Sequence, residues 1–372
     1  MEFRDLKQQY RVLREEVDRA VLDTMASGAF IMGPQVRELE KQLAEYVGVK
    51  RCLTCANGTD ALTLALKAWG IGPGDAVFVP DFTFFSSAEV VSLEGATPVF
   101  VDVCEDTFNI DAADLERAVQ EVLAEGRLRP RVVVAVDLFG QPADYAAVRA
   151  VTDRYGLLVL EDGAQGFGGT IDGKRACSFG DISTTSFFPA KPLGCYGDGG
   201  AVFTDNEEWA ALIDSYRVHG KGQFKYDNVR IGLNSRLDTV QAAILQVKLK
   251  AFAEYELDAV NEVAARYAER LQGLATPVIL EGFRSSWAQY TVRLADRAQR
   301  DAVQAALKAA GIPAMVYYPK PMHLQTAFAG QPARPCPVAT SLCERVLSLP
   351  MHPYMAADEV GTVCDTLFEA IR

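Results

Sequence analysis

Short runs of consecutive apolar residues alternate with segments of helical periodicity through the first part of the chain. The runs predict seven β-strands, at residues 52–55, 76–79, 97–101, 132–137, 157–160, 182–187 and 201–204. Because most of them are apolar on successive residues, we expect strands that are covered on both faces. The segments between them predict helices, among them 60–69, 86–93 and 112–124. This alternation is typical of an α/β fold, with a mixed, mostly parallel seven-stranded sheet sandwiched by helices.

The segments on either side of this alternation predict further elements. Two amphipathic helices are expected before the first strand, at residues 6–25 and 34–46. After the last strand, the pattern predicts a long helix from 235 toward 271, a strand near 290–294 and helices at 300–310 and 356–371. The later elements no longer alternate regularly, which indicates an α+β unit.

The length of the chain indicates two domains. It has 372 residues, more than the roughly 250–300 that a single core sustains. The change of pattern gives the boundary, so we expect a large α/β domain over residues 1–250. A smaller C-terminal α+β domain then covers residues 251–372.

Composition excludes several classes of partner. Hydrophobic residues make up 49% of the chain, charged residues 23%, and the net charge is −12. An acidic balance disfavours nucleic acid and acidic membranes, although a local positive site can still bind an anion. Because the first residues are charged from the start, we expect no signal peptide, and no apolar run reaches the roughly 20 residues of a membrane span. The eight cysteines indicate reduced thiols in a cytoplasmic protein. Cys52 and Cys55 have the spacing of half a zinc motif, but no second CxxC or His pair accompanies them, so we expect no metal site.

The first segment with candidate chemistry is Ala56-Asn57-Gly58-Thr59-Asp60. A strand ends there, Gly58 permits a tight turn, and a helix begins. Free backbone N–H groups at a helix N-terminus bind anions, and the Thr59 hydroxyl adds a donor. An ordinary helix cap favours the same residue types. Alone, the motif therefore leaves a phosphate site and a plain cap both open.

The second segment is the end of an apolar strand at Glu161-Asp162, followed by Gln165. Ligands of α/β folds lie at the carboxyl ends of strands. A carboxylate buried there needs a partner, because burying an unpaired charge is costly. A protonated pyridine nitrogen would be such a partner for Asp162, with Gln165 in reach of a phenolic oxygen. The alternative is again a helix cap.

The third segment runs from Ser186 through Lys191 to Gly194. Lysine is uncommon inside an apolar stretch between a strand and a glycine-rich turn. Burial disfavours the charged form of a lysine and frees its amine for Schiff-base chemistry. A surface lysine is the plainer interpretation of this segment by itself.

The order of the three segments is more specific than any one of them. A Gly-Thr helix start, an acidic strand end and a Ser-x-x-x-x-Lys segment match the phosphate, pyridine nitrogen and aldehyde contacts of pyridoxal 5′-phosphate (PLP) in fold type I aminotransferases. The sequence therefore predicts a PLP-dependent aminotransferase. A Rossmann-type dehydrogenase is disfavoured, because no G-x-G-x-x-G follows an early strand.

The chain resembles the DegT/DnrJ-type nucleotide-sugar aminotransferases over nearly its whole length. The segments that carry the resemblance are DLKQQ (5–9), SGAFIMGP (27–34), ANGTD (56–60), PDFTF (80–84), Glu161-Asp162 with Gln165, Ser186 with Lys191, and NSRLD (234–238) before QAA (241–243). The resemblance implies fold type I, with PLP and pyridoxamine 5′-phosphate (PMP) as the two cofactor forms.

The resemblance also implies roles for individual residues. Lys191 would carry the Schiff base and move protons at the substrate carbon. Asp162 would pair with the pyridinium nitrogen and keep the ring an electron sink, and Gln165 would bond the phenolic oxygen. The cofactor's phosphate and ring face would be held by Gly58, Thr59, Ser186 and Phe84. A core aromatic is the alternative for Phe84.

Two residues are expected to act across a subunit interface. By resemblance, Asn234 and Arg236 would reach into the neighbouring subunit's site, so the enzyme should be a homodimer with shared active sites. The alternative for Arg236 is a salt bridge at a helix start.

The substrate is expected to be a nucleotide-linked keto sugar. The basic, glycine-rich segment 217–230 suggests a loop over an anionic ligand, although a solvated connection has the same composition. The family's sugar-side segment contains Tyr317, Tyr318 and His323. The chain looks similar to the branch that aminates carbon 3, including enzymes for UDP-2-acetamido-2-deoxy-3-keto-glucuronate in bacterial surface polysaccharide. Relatives for 3-keto-6-deoxy sugars also have Tyr-Tyr here, so both substrates stay open.

The implied reaction is a two-step transamination with L-glutamate as amino donor. Three alternatives remain. The first is amination at carbon 4 of the sugar. Dehydration is disfavoured by Lys191, since related dehydratases carry histidine at that place. A non-catalytic regulator on the same fold is the third.

Overall fold

The computed structural model describes residues 1–224, 226–331 and 334–372. The helices are α1 (Leu6–Ser27), α2 (Pro34–Val47), α3 (Gly58–Ala68), α4 (Ser86–Leu93), α5 (Ala112–Glu125), α6 (Tyr145–Tyr155), α7 (Glu207–Tyr216), α8 (Thr239–Ala251), α9 (Leu257–Arg270), α10 (Arg297–Ala309), α11 (Pro337–Arg345) and α12 (Ala357–Ile371). The strands are β1 (Arg51–Cys55), β2 (Asp75–Pro80), β3 (Thr97–Val101), β4 (Arg129–Val136), β5 (Leu158–Asp162), β6 (Thr170–Ile171), β7 (Lys174–Arg175), β8 (Ile182–Ser186), β9 (Gly200–Thr204), β10 (Phe283–Arg284), β11 (Tyr290–Arg293) and β12 (Val346–Leu349).

Seven strands form one sheet in the order β1-β9-β8-β5-β4-β2-β3. They are the seven strands that the apolar runs predict. All neighbours are parallel except at β9, which pairs antiparallel with both β1 and β8. The predicted α/β class with a mixed, mostly parallel seven-stranded sheet is therefore confirmed.

Helices cover both faces of this sheet, which explains the continuous apolar runs. In β4, Val132 and Val134 pack into the core that contains α3 and α4, whereas Val133 and Ala135 pack into the core with α5 and α6. Successive side chains point to opposite faces of a strand, so each residue needs an apolar partner. Burying one such valine contributes about 1.5–3 kcal/mol to the free energy of unfolding.

The sheet topology places the ends of its parallel strands at one edge. β2, β4, β5 and β8 are parallel to one another, so their carboxyl ends meet on the same side. Asp162 is the last residue of β5 and Ser186 the last of β8. In sheets of this kind, the crevice at that edge is where ligands bind.

The predicted long helix is present but begins later and is interrupted. Its first helical residue is Thr239, whose backbone N–H donates to the Phe30 carbonyl (2.9 Å). A single π-helical turn at Phe252–Glu256 separates α8 from α9. The predicted domain boundary at residue 250 lies in the last turn of α8 and stays a prediction.

The strand expected near 290–294 is present as β11, which pairs antiparallel with β12. β12 and the two-residue strands were not predicted, and β10, β6 and β7 form a three-stranded sheet of such short strands. A two-residue strand carries no periodicity that a sequence pattern can reveal.

Across the described ranges, none of the helices combines the length and the apolarity that crossing a membrane requires.

Candidate active site

Lys191 lies in the loop that follows β8. The loop folds back on itself, with the Lys191 backbone N–H donating to the Phe188 carbonyl (2.9 Å) and the Cys195 N–H to the Phe187 carbonyl (2.8 Å). The Lys191 side chain is partly buried, and this desolvation lowers its pKa, with the Asp162 charge opposing the effect. The neutral amine is therefore more populated than in an exposed lysine, as a nucleophilic amine requires.

Asp162 is buried at the end of β5 and held by two hydrogen bonds. The Ser87 hydroxyl donates to Oδ2 (2.7 Å), and the Ala164 backbone N–H donates to Oδ1 (3.2 Å). Burial raises the pKa of Asp162, while the Ser87 bond and then the Lys191 charge act to lower it. A carboxylate accepts about four hydrogen bonds, so Asp162 retains capacity for a cationic N–H.

The start of α3 lies directly against the end of β8. A Cβ atom added to Gly58 would lie 2.7 Å from Cβ of Ser186, which is closer than such atoms pack. Asn57 caps the helix by accepting from the Asp60 N–H (2.8 Å), and Thr59 Oγ1 lies 2.8 Å from Ser86 Oγ. Glycine at 58 thus lets a helix N-terminus approach two hydroxyl side chains, an arrangement that binds phosphate.

Gln165, Tyr318 and Phe84 meet beside Asp162. Gln165 Oε1 accepts from the Phe139 backbone N–H (2.7 Å), and its Nε2 donates to the Tyr318 hydroxyl (3.0 Å). Burial raises the pKa of Tyr318, so its hydroxyl keeps a proton that it can donate. The Phe84 ring lies 6.3 Å from that of Tyr318 and is 53% exposed. Phe84 is therefore a surface aromatic at the cleft rather than a core residue.

His323 forms a pair with Asp81, at the end of β2. Its Nδ1 lies 2.6 Å from Asp81 Oδ2, and its backbone N–H donates to Oδ1 (2.8 Å). Burial raises the pKa of Asp81, and the bonds from His323 oppose that rise. Tyr317 packs against Tyr318, with ring centroids 5.7 Å apart, so the sugar-side segment does reach this edge of the sheet.

Asn234 and Arg236 take part in a different arrangement. Arg236 Nη2 donates to Asn234 Oδ1 (2.6 Å), and Asn234 is exposed. Within one chain these side chains thus contact each other on the surface. Their predicted role in a neighbouring subunit's site stays a prediction.

The basic segment 217–230 is only partly available for a ligand. Arg217 is buried and ion-paired with Glu40 and Asp214, so it has a structural role. Lys225, in the middle of this segment, lies outside the described residues.

Two polar residues of the site were not identified from the sequence. Ser87 and Asp81 become recognisable only through their partners, Asp162 and His323. The Ser86-Ser87 pair at the start of an apolar helix is a weak signal, since serine also favours an ordinary helix start. Among the residues that the structure describes, no group of His, Cys, Asp and Glu could hold a metal ion.

Comparison with known proteins identifies the family. A family model described as the DegT/DnrJ/EryC1/StrS aminotransferase family matches residues 11–368. The chain belongs to this family. It is therefore an aminotransferase, as the three motifs predicted.

Three similar proteins illustrate the match to DegT/DnrJ aminotransferases. The UDP-2-acetamido-2-deoxy-3-oxo-D-glucuronate aminotransferase of Pseudomonas aeruginosa is 45% identical over 99% of both chains. The UDP-N-acetyl-3-dehydro-alpha-D-glucosamine 3-aminotransferase of Acidithiobacillus ferrooxidans is 41% identical over 98% of this chain and 96% of its own. A solved family structure from Brucella abortus is 47% identical, covers 99% of both chains and has a TM-score of 0.97.

The cofactor of this DegT/DnrJ aminotransferase is PLP, with PMP as its aminated form. A sugar aminotransferase structure from Streptococcus pneumoniae, described as putative and in its PMP form, covers 96% of both chains at 26% identity, with a TM-score of 0.88. The residues of this chain fit the group. A helix N-terminus beside Ser186 would suit the phosphate, the buried carboxylate of Asp162 would suit the ring nitrogen, and the desolvated amine of Lys191 would suit the aldehyde.

Proposed function

We propose that this DegT/DnrJ aminotransferase transfers the amino group of L-glutamate to carbon 3 of a UDP-linked keto sugar. The first candidate substrate is UDP-2-acetamido-2-deoxy-3-keto-glucuronate. The observation that carries the proposal is the pairing of a desolvated Lys191 with a buried, hydrogen-bonded Asp162 at the ligand edge of the sheet. The choice of sugar is supported by the two relatives described above, whose names both specify a 3-oxo or 3-dehydro UDP sugar.

The roles of the residues follow from their surroundings. Bound PLP supplies an electron sink for the carbon that carries the amine and stores the amino group as PMP. Lys191 Nζ removes and returns the proton at that carbon, because its lowered pKa lets it alternate between neutral and charged forms. Asp162 keeps a negative charge facing the ring nitrogen. Tyr318 and Gln165 form a hydrogen-bonded pair beside it and are proposed to orient the ring hydroxyl and the substrate.

The remaining site residues complete the proposed binding surface. Gly58, Thr59 and Ser186 would bind the phosphate of the cofactor, and Phe84 would cover its ring. Tyr317 and His323 contact the sugar. The three side chains Phe84, Asn234 and Phe188 are all exposed in the single chain, which supports a homodimer in which they are covered.

The compartment and pathway are part of the proposal. All eight cysteines are free thiols, as expected for a reducing compartment, so we place the enzyme in the cytoplasm. There it would supply an amino sugar for a bacterial surface polysaccharide such as lipopolysaccharide.

The substrate assignment is tested by following the absorbance of the purified enzyme through both half-reactions. L-Glutamate should replace the visible band of the PLP form by the near-ultraviolet band of the PMP form. The 3-keto-uronate nucleotide should then restore the visible band and yield a 3-amino sugar by mass spectrometry. Restoration only by a 4-keto sugar would show amination at carbon 4. A purified protein that binds no PLP would favour the alternative of a non-catalytic regulator on the same fold.

The shared site is tested by mixing an impaired variant with an inactive one. Asn234→Ala should lose about 10–100-fold in activity, the cost of removing a hydrogen bond to a charged group. Mixed with Lys191→Ala and allowed to exchange subunits, it should regain activity, because each mixed dimer contains one complete site. The matched control mixes Lys191→Ala with Asp162→Asn, which lie in the same subunit's site and cannot complement. Equal activity in both mixtures would contradict shared sites.

A further inference from the structure

The N-terminal segment, residues 1–5, lies between the lysine loop and the sugar-side tyrosines. The Phe3 carbonyl accepts from the Met351 backbone N–H (3.1 Å), and the Phe3 ring packs edge-on against Tyr317, with centroids 6.2 Å apart. Next to it, Arg4 Nη2 donates to the carbonyl of Pro192 (3.1 Å), the residue after Lys191. The guanidinium of Arg4 is therefore anchored in the loop that carries Lys191, next to the segment that contains Tyr317.

Arg4 has no acidic partner within the described part of the chain. None of the ion pairs there includes it, and the one hydrogen bond of its guanidinium there goes to the Pro192 carbonyl. The carboxylate whose charge acts on it most is Glu256, which already accepts hydrogen bonds from Gln9 Nε2 (2.8 Å) and the Tyr354 hydroxyl. A guanidinium has five N–H donors, so most of the hydrogen-bonding capacity of Arg4 remains available.

The charge of Arg4 persists at neutral pH. Burial lowers the pKa of Arg4 to about 10, which still leaves the group protonated. Its charge in turn contributes to the lowered pKa of Lys191. Although the chain as a whole carries a net charge of −12, Arg4 places a positive charge beside Lys191, where it can attract an anion. Desolvating a charge is costly unless a partner compensates.

We propose that Arg4 binds a substrate carboxylate in the active site. The planar guanidinium matches a carboxylate through two parallel hydrogen bonds, and its anchor on Pro192 sets its position relative to the Lys191 amine. The inference rests on the proposed function for the identity of the ligand. That function supplies two candidate carboxylates, those of the amino donor L-glutamate and the carbon-6 carboxylate of the uronate sugar.

The test compares ligands that differ in one carboxylate. UDP-N-acetylglucosaminuronate and UDP-N-acetylglucosamine carry a hydroxyl at carbon 3, so they bind without reacting. Their dissociation constants are measured by calorimetry, and that of L-glutamate by saturation of the absorbance change. The variants are Arg4→Met and Arg4→Lys. Lysine keeps the positive charge but lacks the two parallel N–H donors of the planar guanidinium. Arg11→Met is the control, since the Arg11 side chain is exposed and, among the described residues, donates only to Gln8 Oε1.

In Arg4→Met we expect one acidic ligand to weaken by about 10–100-fold, the effect of losing a charged hydrogen-bonded pair. Selective loss of the uronate nucleotide identifies the sugar carboxylate, and selective loss of L-glutamate identifies the donor. In either case UDP-N-acetylglucosamine binds as before, Arg4→Lys shows a smaller loss, and Arg11→Met shows none.

Equal weakening of all three ligands would overturn the proposal, since it would mean that Arg4 only supports the lysine loop. Unchanged binding of both acidic ligands would overturn it as well. These outcomes are separate from a failure of the proposed function. An enzyme that aminates no 3-keto sugar refutes that function, whereas the binding of unreactive nucleotides still reports on Arg4.

Discussion

Replacing Lys191 with alanine is expected to abolish transamination while leaving the fold intact. In the proposed mechanism the variant loses both the amine that bonds the cofactor and the base that moves the substrate proton. A positioned base alone contributes typically 10²–10⁴-fold, so turnover should fall by at least about that factor. The side chain is only partly buried and makes no side-chain hydrogen bond in the described structure, so the thermal unfolding of the cofactor-free protein should hardly change. Turnover and thermal unfolding are the measurements.

A second lysine provides a stringent check on this assignment. Lys248 is more deeply buried, and burial lowers its pKa to about 8. Its amine lies 4.8 Å from the centre of the Tyr196 ring, on the α8 side of the loop. Borohydride reduction of the PLP-loaded protein followed by peptide mass spectrometry should mark Lys191 alone. A label on Lys248, or full activity of Lys191→Ala, would contradict the proposed chemistry.

Asp162→Asn is expected to separate activity from stability. Asparagine keeps the shape of the side chain and can still accept from Ser87, but it lacks the charge that stabilises a protonated ring nitrogen. Removing one preorganised electrostatic contact typically costs on the order of 10²–10³-fold, so turnover should fall by that amount. The affinity for PLP should fall as well. Both are measured on the purified variant by steady-state kinetics and by titration with PLP.

The cofactor-free form of the same variant should be at least as stable as the original protein. Burial raises the pKa of Asp162 in the fold, so its ionisation destabilises the cofactor-free protein as pH rises through that raised pKa. Asparagine does not ionise. The difference in melting temperature in favour of Asp162→Asn should therefore widen from acidic to neutral pH. A variant that is less stable at neutral pH, or one with full turnover, would refute this account.

The parts of the fold that could be predicted share one physical property. Each of the seven strands of the main sheet is buried on both faces, so the local sequence carries the signal as a continuous apolar run. The helices between them carry the 3.6-residue period of an amphipathic surface. In contrast, the two-residue strands β6, β7 and β10 are too short for any period. At the late start of α8, the Thr239 backbone N–H donates to the carbonyl of Phe30, a residue between α1 and α2 that lies far away in the sequence.

The chemistry of the site also has a part that the sequence could predict and a part that it could not. Residue types and their order along the chain were enough to predict PLP, the Schiff-base Lys191 and the ring partner Asp162, because each follows a strand end whose position is encoded locally. The comparisons confirm the family and the cofactor. The individual residue roles stay predictions, to be tested by the variants above.

The sequence by itself determined the fold class, the family and the kind of reaction, since periodicity and motif order are properties of neighbouring residues. Only the tertiary structure decided which distant residues meet. Ser87 bonds Asp162 across 75 positions because β2, β4 and β5 are adjacent in the sheet. Arg4 meets Pro192 across 188 positions because the N-terminal segment packs on the lysine loop. Such contacts depend on strand order and chain packing, which no local pattern specifies.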